Sequence, residues 1–124
     1  MKRVERKMKN NPIEEKSFSF AVRIIKLYKH LTENKKEYVL SKQLLRSGTS
    51  IGANVSEAER GQSKADFVSK MSIALKEANE TDYWLRLLYA GEYLSQAEFE
   101  SMSRDVNELI SILVSICKTA NKNK

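Results

Sequence analysis

The fold turns on residues 46–61, which read Arg46-Ser47-Gly48-Thr49-Ser50-Ile51-Gly52-Ala53-Asn54-Val55-Ser56-Glu57-Ala58-Glu59-Arg60-Gly61. Composition argues against a helix here, because glycine, β-branched residues and short polar side chains are weak helix formers. Spacing argues for one. Leu40, Leu44, Ile51, Val55 and Ala58 keep a heptad-like phase, with Ser47 at the missing position, and the phase does not slip across Gly48 or Gly52. A loop at 47–52 would reset that phase, so the spacing decides for a continuous helix. Each interior glycine costs about 1 kcal/mol relative to Ala. Glycines four apart remove the side chains that would hold a neighbouring helix off, so the stretch predicts a close helix neighbour.

Working outward, the rest of the chain reads as three more helices. The first starts after Pro12, at Ile13 or Ser17, and ends near Thr32. Its stripe is Phe20, Ile24, Leu27 and Leu31, widened by Ala21, Ile25 and Tyr28. That width predicts burial on more than one side, with Arg23, Lys26, Lys29 and His30 on the opposite surface. The glycine stretch belongs to the second helix, Glu37 to Arg60, which Gly61 closes in a left-handed conformation. Ser63 caps the third helix, with Asp66 three residues on. Its stripe is Phe67, Met71, Ala74, Ala78, Leu85 and Leu88, and its predicted i,i+4 charge pairs are Asp66 with Lys70, Lys76 with Glu80 and Asp82 with Arg86. Ala90-Gly91 ends it or bends it. Ser95 with Glu98 forms a capping box for the fourth helix, whose Phe99, Met102, Val106, Leu109, Leu113, Ile116 and Ala120 alternate spacings of three and four. Four helices with short connections predict an all-α, antiparallel up-down four-helix bundle over residues 13–120, flanked by a basic arm at 1–12 and a basic tail at 121–124.

At 124 residues the chain makes one domain with a real core. Its net charge of +6 is uneven: residues 1–36 carry +7, residues 37–117 carry −4 and the last seven carry +3. Basic ends on an acidic body suggest an acidic or nucleic-acid partner, against the plainer reading of solvated Lys-rich termini. One Cys, no apolar leader and no membrane-length apolar run lead us to expect a cytoplasmic protein.

Catalytic chemistry finds little to stand on. One His cannot supply the paired Glu-x-x-His ligands of a di-metal bundle, and one Cys with one His cannot make a zinc site, so no metal and no cofactor are expected. Cys117 beside the fourth stripe reads as an inert small hydrophobe rather than a nucleophile. Gly48 and Gly52 lack the Lys and the strand context of a phosphate loop. Arg23 and His30 share one helix face at a spacing that resembles the Arg-x(4–6)-His motif of helical ribonuclease domains. A solvated basic face is the ordinary reading of that pair.

The informative surface is on the second helix. Arg46, Ser47, Ser50, Asn54 and Glu57 fall within an arc of about 100°. A wet face would use better helix formers, so solubility does not explain the choice. Three readings are open: burial against another subunit, with Arg46 and Glu57 pairing there; phosphate contact through Arg46, Arg60 and the hydroxyls; or an internal polar seam that fixes register. Trp84, next to Tyr83, reads as a core-edge or interface anchor before it reads as a base-stacking platform. For nucleic acid, the candidate residues are Arg23, Lys26, Lys29, Arg46 and Arg60.

Ser17-Phe18-Ser19-Phe20-Ala21, the run from Leu44 to Ala58, and Lys64 to Leu88 with Ala78, Glu80, Thr81 and Trp84 together carry a family resemblance. The chain resembles the bacterial four-helix-bundle family encoded within intervening sequences of 23S ribosomal RNA genes, from Ile13 to Ala120. Arg46, Ser50, Asn54 and Glu57 match its signature. The short Gly that usually follows the signature Glu comes later here, as Gly61. The resemblance implies a ring-like homopentamer, similar to the accessory protein of diversity-generating retroelements, a basic pentamer that works with a reverse transcriptase and RNA. The expectation is therefore a non-enzymatic homo-oligomer that binds RNA or a nucleoprotein partner. The alternatives are a protein-interaction scaffold without a nucleic-acid role and, behind it, a ribonuclease using Arg23 and His30.

Overall fold

The computed structural model describes residues 11–122. They form α1 (Pro12–Glu33), α2 (Leu40–Glu59), α3 (Lys64–Ala90) and α4 (Gln96–Lys122), with no strand among the described residues. Positions 1–10 of the expected basic arm and 123–124 of the expected tail lie outside them. α4 runs past position 120, where the sequence closed the bundle. α1 packs on α2 and α4, and α3 packs on the same two helices, so the four close around one core.

Each helix forms where its apolar spacing asks for it, and its ends are fixed by named groups. Pro12 opens α1 at the position where its missing N–H costs nothing, and Asn11 O accepts from the N–H of Glu14 and Glu15. Ser63 Oγ accepts from Asp66 N at 3.1 Å to start α3. At α4 the capping box is reciprocal: Glu98 N donates to Ser95 Oγ (3.1 Å) and Ser95 N to Glu98 Oε1 (2.8 Å). The start of α2 differs from expectation. Glu37 is not its first residue. It stands before the helix, buried, and its carboxylate accepts from the N–H of Val39, Leu40 and Ser41 at 3.0, 2.9 and 2.6 Å.

α2 is unbroken across both glycines. The close neighbour is α1 of the same chain. A Cβ at Gly48 would stand 2.7–2.9 Å from three side-chain carbons of Ile24, and one at Gly52 would stand 3.2 Å from the Ser17 carbonyl oxygen. The core takes Phe20, Ile24 and Leu31 from α1, Leu44, Ile51 and Val55 from α2, Met71, Leu85 and Leu88 from α3, and Val106, Leu109 and Leu113 from α4.

Several local expectations need correcting. Gly61 is not left-handed; among the described residues the positive φ values fall at Lys36 (φ 56°) and Glu92 (φ 68°). At Glu92 the turn closes with Tyr93 N donating to Leu88 O at 2.9 Å, the pattern in which a left-handed residue ends a helix. Of the three charge pairs expected on α3, Asp82–Arg86 forms (3.1 Å), while Lys70 reaches Glu57 of α2 and Glu80 receives Arg46 of α2. The wide apolar face of α1 is only partly used, because Ile25 joins Phe18 and Val22 on the exposed side.

Candidate functional site

The polar stretch of α2 divides into an inner and an outer part. Ser47 is fully buried, and its Oγ lies 2.9 Å from Thr81 Oγ1, which also bonds the Glu77 carbonyl at 2.8 Å. A hydroxyl has one proton, so if Thr81 keeps the shorter bond, Ser47 supplies the proton between the two. This is a polar contact inside an apolar core, and it sets α2 against α3. The signal for Thr81 is positional: it fills the gap in the α3 stripe between Ala78 and Leu85, as Ser47 fills the one in α2.

The outer part is Ser50, Asn54 and the two charged ends. Ser50 Oγ donates to Arg46 O (2.7 Å), Asn54 Nδ2 to Ser50 O (2.9 Å), and Thr49 Oγ1 to Leu45 O (2.7 Å). The two hydroxyls and one Asn54 N–H are bonded to their own helix, which leaves the second Asn54 N–H and its carbonyl oxygen for a partner. Arg46 and Glu57 do not wait for another subunit. Arg46 Nη2 lies 3.4 Å from Glu80 Oε2, which also accepts from Trp84 Nε1 at 3.1 Å, and Lys70 Nζ lies 3.1 Å from Glu57 Oε1. Trp84 is thus half-buried at the α2–α3 seam, edge-on to the exposed Tyr83 ring at 5.1 Å.

Apolar side chains flank this face. Phe18, Val22 and Ile25 lie exposed along α1, Phe18 to 61%. Ile73, Tyr83 and Leu87 lie exposed on α3. A shallow groove between α1 and α2 is lined by Phe18 and Ala21 and by Thr49, Gly52 and Ala53.

The residues singled out for nucleic acid are not brought together. Arg23 is bound across the α1–α4 seam by Asp105 and by Ser101, whose Oγ accepts from Nη2 at 2.7 Å. Arg46 is held by Glu80, and Arg60 lies at the far end of α2. Lys26 and Lys29 are exposed and make no ion pair among the described residues.

His30 also turns toward α4 rather than to open solvent. Its Nδ1 lies 2.9 Å from Asn34 Nδ2, where it accepts from the amide, and its Nε2 stands 3.4 Å from Glu98 Oε2 without making a hydrogen bond. Arg23 and His30 are therefore engaged by separate α4 residues, about 10 Å apart along the helix axis. Cys117 is a half-buried free thiol 4.0 Å from Ser72 Oγ. No three His, Cys, Asp or Glu side chains gather to hold a metal among the described residues, and no described helix is long and apolar enough to cross a membrane.

Two carboxylates are shifted, both at helix starts. Burial of Glu37 pushes its carboxyl up, but the N–H groups of Leu40, Ser41 and Val39 outweigh it and hold the group below the ordinary value. The Ser95 N–H does the same for Glu98 against a smaller burial penalty, helped by the Ser95 hydroxyl, His30 and Lys35.

Residues 9–115 match the family described as 23S rRNA-intervening sequence protein. The chain belongs to that family. A solved structure from Bacteroides thetaiotaomicron, described as a protein with unknown function from the S23 ribosomal protein family, is similar at 57% identity and a TM-score of 0.84, covering 86% of this chain and 98% of that one. No curated protein sequence matches. The family description names no reaction, so no enzymatic family is indicated.

Proposed function

We propose that this family member is a non-enzymatic four-helix bundle, with helices alternating up and down, that assembles with copies of itself and binds RNA or an RNA-containing partner in the cytoplasm. Alternation is supported by the pairs that meet. Ile24 and Ser17 face Gly48 and Gly52, Arg46 and Glu57 face Glu80 and Lys70, and Lys16 and His30 face Glu108 and Glu98, so rising numbers on one helix meet falling numbers on the next. A pentamer is what the resemblance implies.

The observation that carries assembly is the outer face of α2. Its hydroxyls are already hydrogen-bonded within the helix, and exposed apolar stripes lie on α1 and α3. A second copy that covers such a face gains by burying the stripes and has to meet only the remaining N–H and carbonyl of Asn54. Placing a charge in its centre, with Asn54→Lys, should lower the mass measured by light scattering while circular dichroism keeps its helical signal. Retained assembly would leave the face to a different partner and favour the scaffold reading without RNA. RNA enters through the basic charge, which an assembly multiplies and which makes binding fall steeply with salt.

A further inference from the structure

We infer that the α1–α2 turn is the RNA-contacting edge, with lysines on phosphates and Tyr38 stacking on an unpaired base; this rests on the RNA reading above and locates it. The edge keeps Lys26 and Lys29 of the cations that the sequence suggested and has Lys36 and Lys42 in place of Arg23, Arg46 and Arg60. Ile24 meets Gly48 and Ser17 meets Gly52, so Lys29 lies level with the start of α2, where Lys42 sits. Lys26, Lys29, Lys36 and Lys42 are exposed and take part in no ion pair among the described residues. Residues 26–42 hold five Lys against Glu33 and Glu37, a net +3. The Glu37 carboxylate is buried and consumed by the N–H groups of α2, so Glu33 is the acidic side chain left exposed within that run.

Two further observations point outward from the same turn. Lys36 is left-handed at φ 56°, where glycine would fit without strain. Lys36 takes that conformation in the turn after α1, as Glu92 does in the turn after α3, and its side chain is left exposed there. Beside it, Tyr38 is 56% and Val39 71% exposed, which leaves an aromatic ring and an aliphatic side chain uncovered next to the positive charge. Lysines that track a phosphate backbone together with an aromatic that accepts a base face are the elements of single-strand recognition. The turn does not offer the helix N-terminus as an anion site, because Glu37 already occupies it. The lysines must therefore carry the phosphate contacts.

The test uses the full chain and fluorescein-labelled oligouridine RNA, followed by anisotropy across a salt series. Binding should weaken linearly on a log–log salt plot, and removing one phosphate-contacting lysine should lower the slope by about 0.7. Lys36→Gly gives that slope change while the melting temperature stays level or rises, because glycine relieves the backbone. Tyr38→Ala should weaken binding about five- to a hundredfold. Reversing Lys26, Lys29, Lys36 and Lys42 together to Glu should abolish binding with helix content intact. RNA binding that survives this reversal overturns the inference and leaves the RNA reading standing on another surface. An absence of salt-sensitive RNA binding by the unaltered chain overturns both. An unchanged Tyr38→Ala overturns the stacking contact. Tighter binding to phosphatidylserine vesicles than to RNA, lost on the same reversal, overturns RNA in favour of a lipid surface.

Discussion

α1 packs against α2 on one flank and α4 on the other, and the two seams are built by different means. Toward α2 the glycines bring the helices together, with Ile24 lodged over Gly48 and the Ser17 backbone over Gly52. Toward α4 the backbones come close at the fewest places, and polar pairs bridge the gap: Lys16 with Glu108 at 3.2 Å, Arg23 with Asp105 and Ser101, and His30 with Glu98. The hollow over this second seam is lined by Lys16, Ser19, Asp105 and Glu108, whereas small side chains and Phe18 line the first. Close packing tolerates little change in volume, while half-exposed ion pairs contribute little net free energy. The seams should therefore answer very differently to substitution.

Gly48→Leu should give the largest effect, about 3 kcal/mol in chemical denaturation, because the buried, β-branched Ile24 has no room to yield. A loss under about 1 kcal/mol would mean that α1 can move away, and the contrast between the seams would fail. Thr81→Val comes next, at about 1–1.5 kcal/mol, since it leaves the buried Ser47 hydroxyl only its longer 3.4 Å bond to the Leu44 carbonyl. Adding Ser47→Ala to it should recover most of the loss, which distinguishes a weakly bonded hydroxyl from a packing defect.

Glu37→Gln should cost about 1 kcal/mol at neutral pH, because a buried carboxylate cap becomes an amide. The sign with pH follows from the depressed carboxyl. Its contribution is fully present above the unfolded Glu value of about 4.3 and is lost as pH falls through the lower folded value. Glu98 is shifted in the same direction, so acid should weaken the starts of both α2 and α4, and Glu37→Gln should flatten the acid limb of a stability–pH curve. Arg23→Met should be the smallest, under about 1 kcal/mol, and smaller still in high salt, because both partners of Arg23–Asp105 are about two-fifths exposed.

The tight seam was legible in the sequence because it is a property of one helix. An unbroken apolar phase over Gly48 and Gly52 implies a close neighbour wherever that neighbour comes from. The polar seam was not legible in the same way. Arg23 and His30 lie on a polar flank of α1, and nothing in one helix's spacing says that Asp105 and Glu98, far along the chain, stand opposite that flank. The same limit hid the partners of Arg46 and Glu57, because Glu80 and Lys70 lie on α3. The turn chemistry failed for a different reason. Glycine marks where a left-handed residue is easy, but Lys36 and Glu92 take that conformation and Gly61, where it was expected, does not.

With both glycines occupied by α1 and Ser47 by Thr81, what remains of the α2 signature for a second copy is its outer face at Ser50 and Asn54. The most direct measurement is the mass of the unaltered full chain by light scattering at micromolar concentration. The account predicts a multiple of the 14.3 kDa chain. A mass of one chain, unchanged as concentration rises, would contradict it.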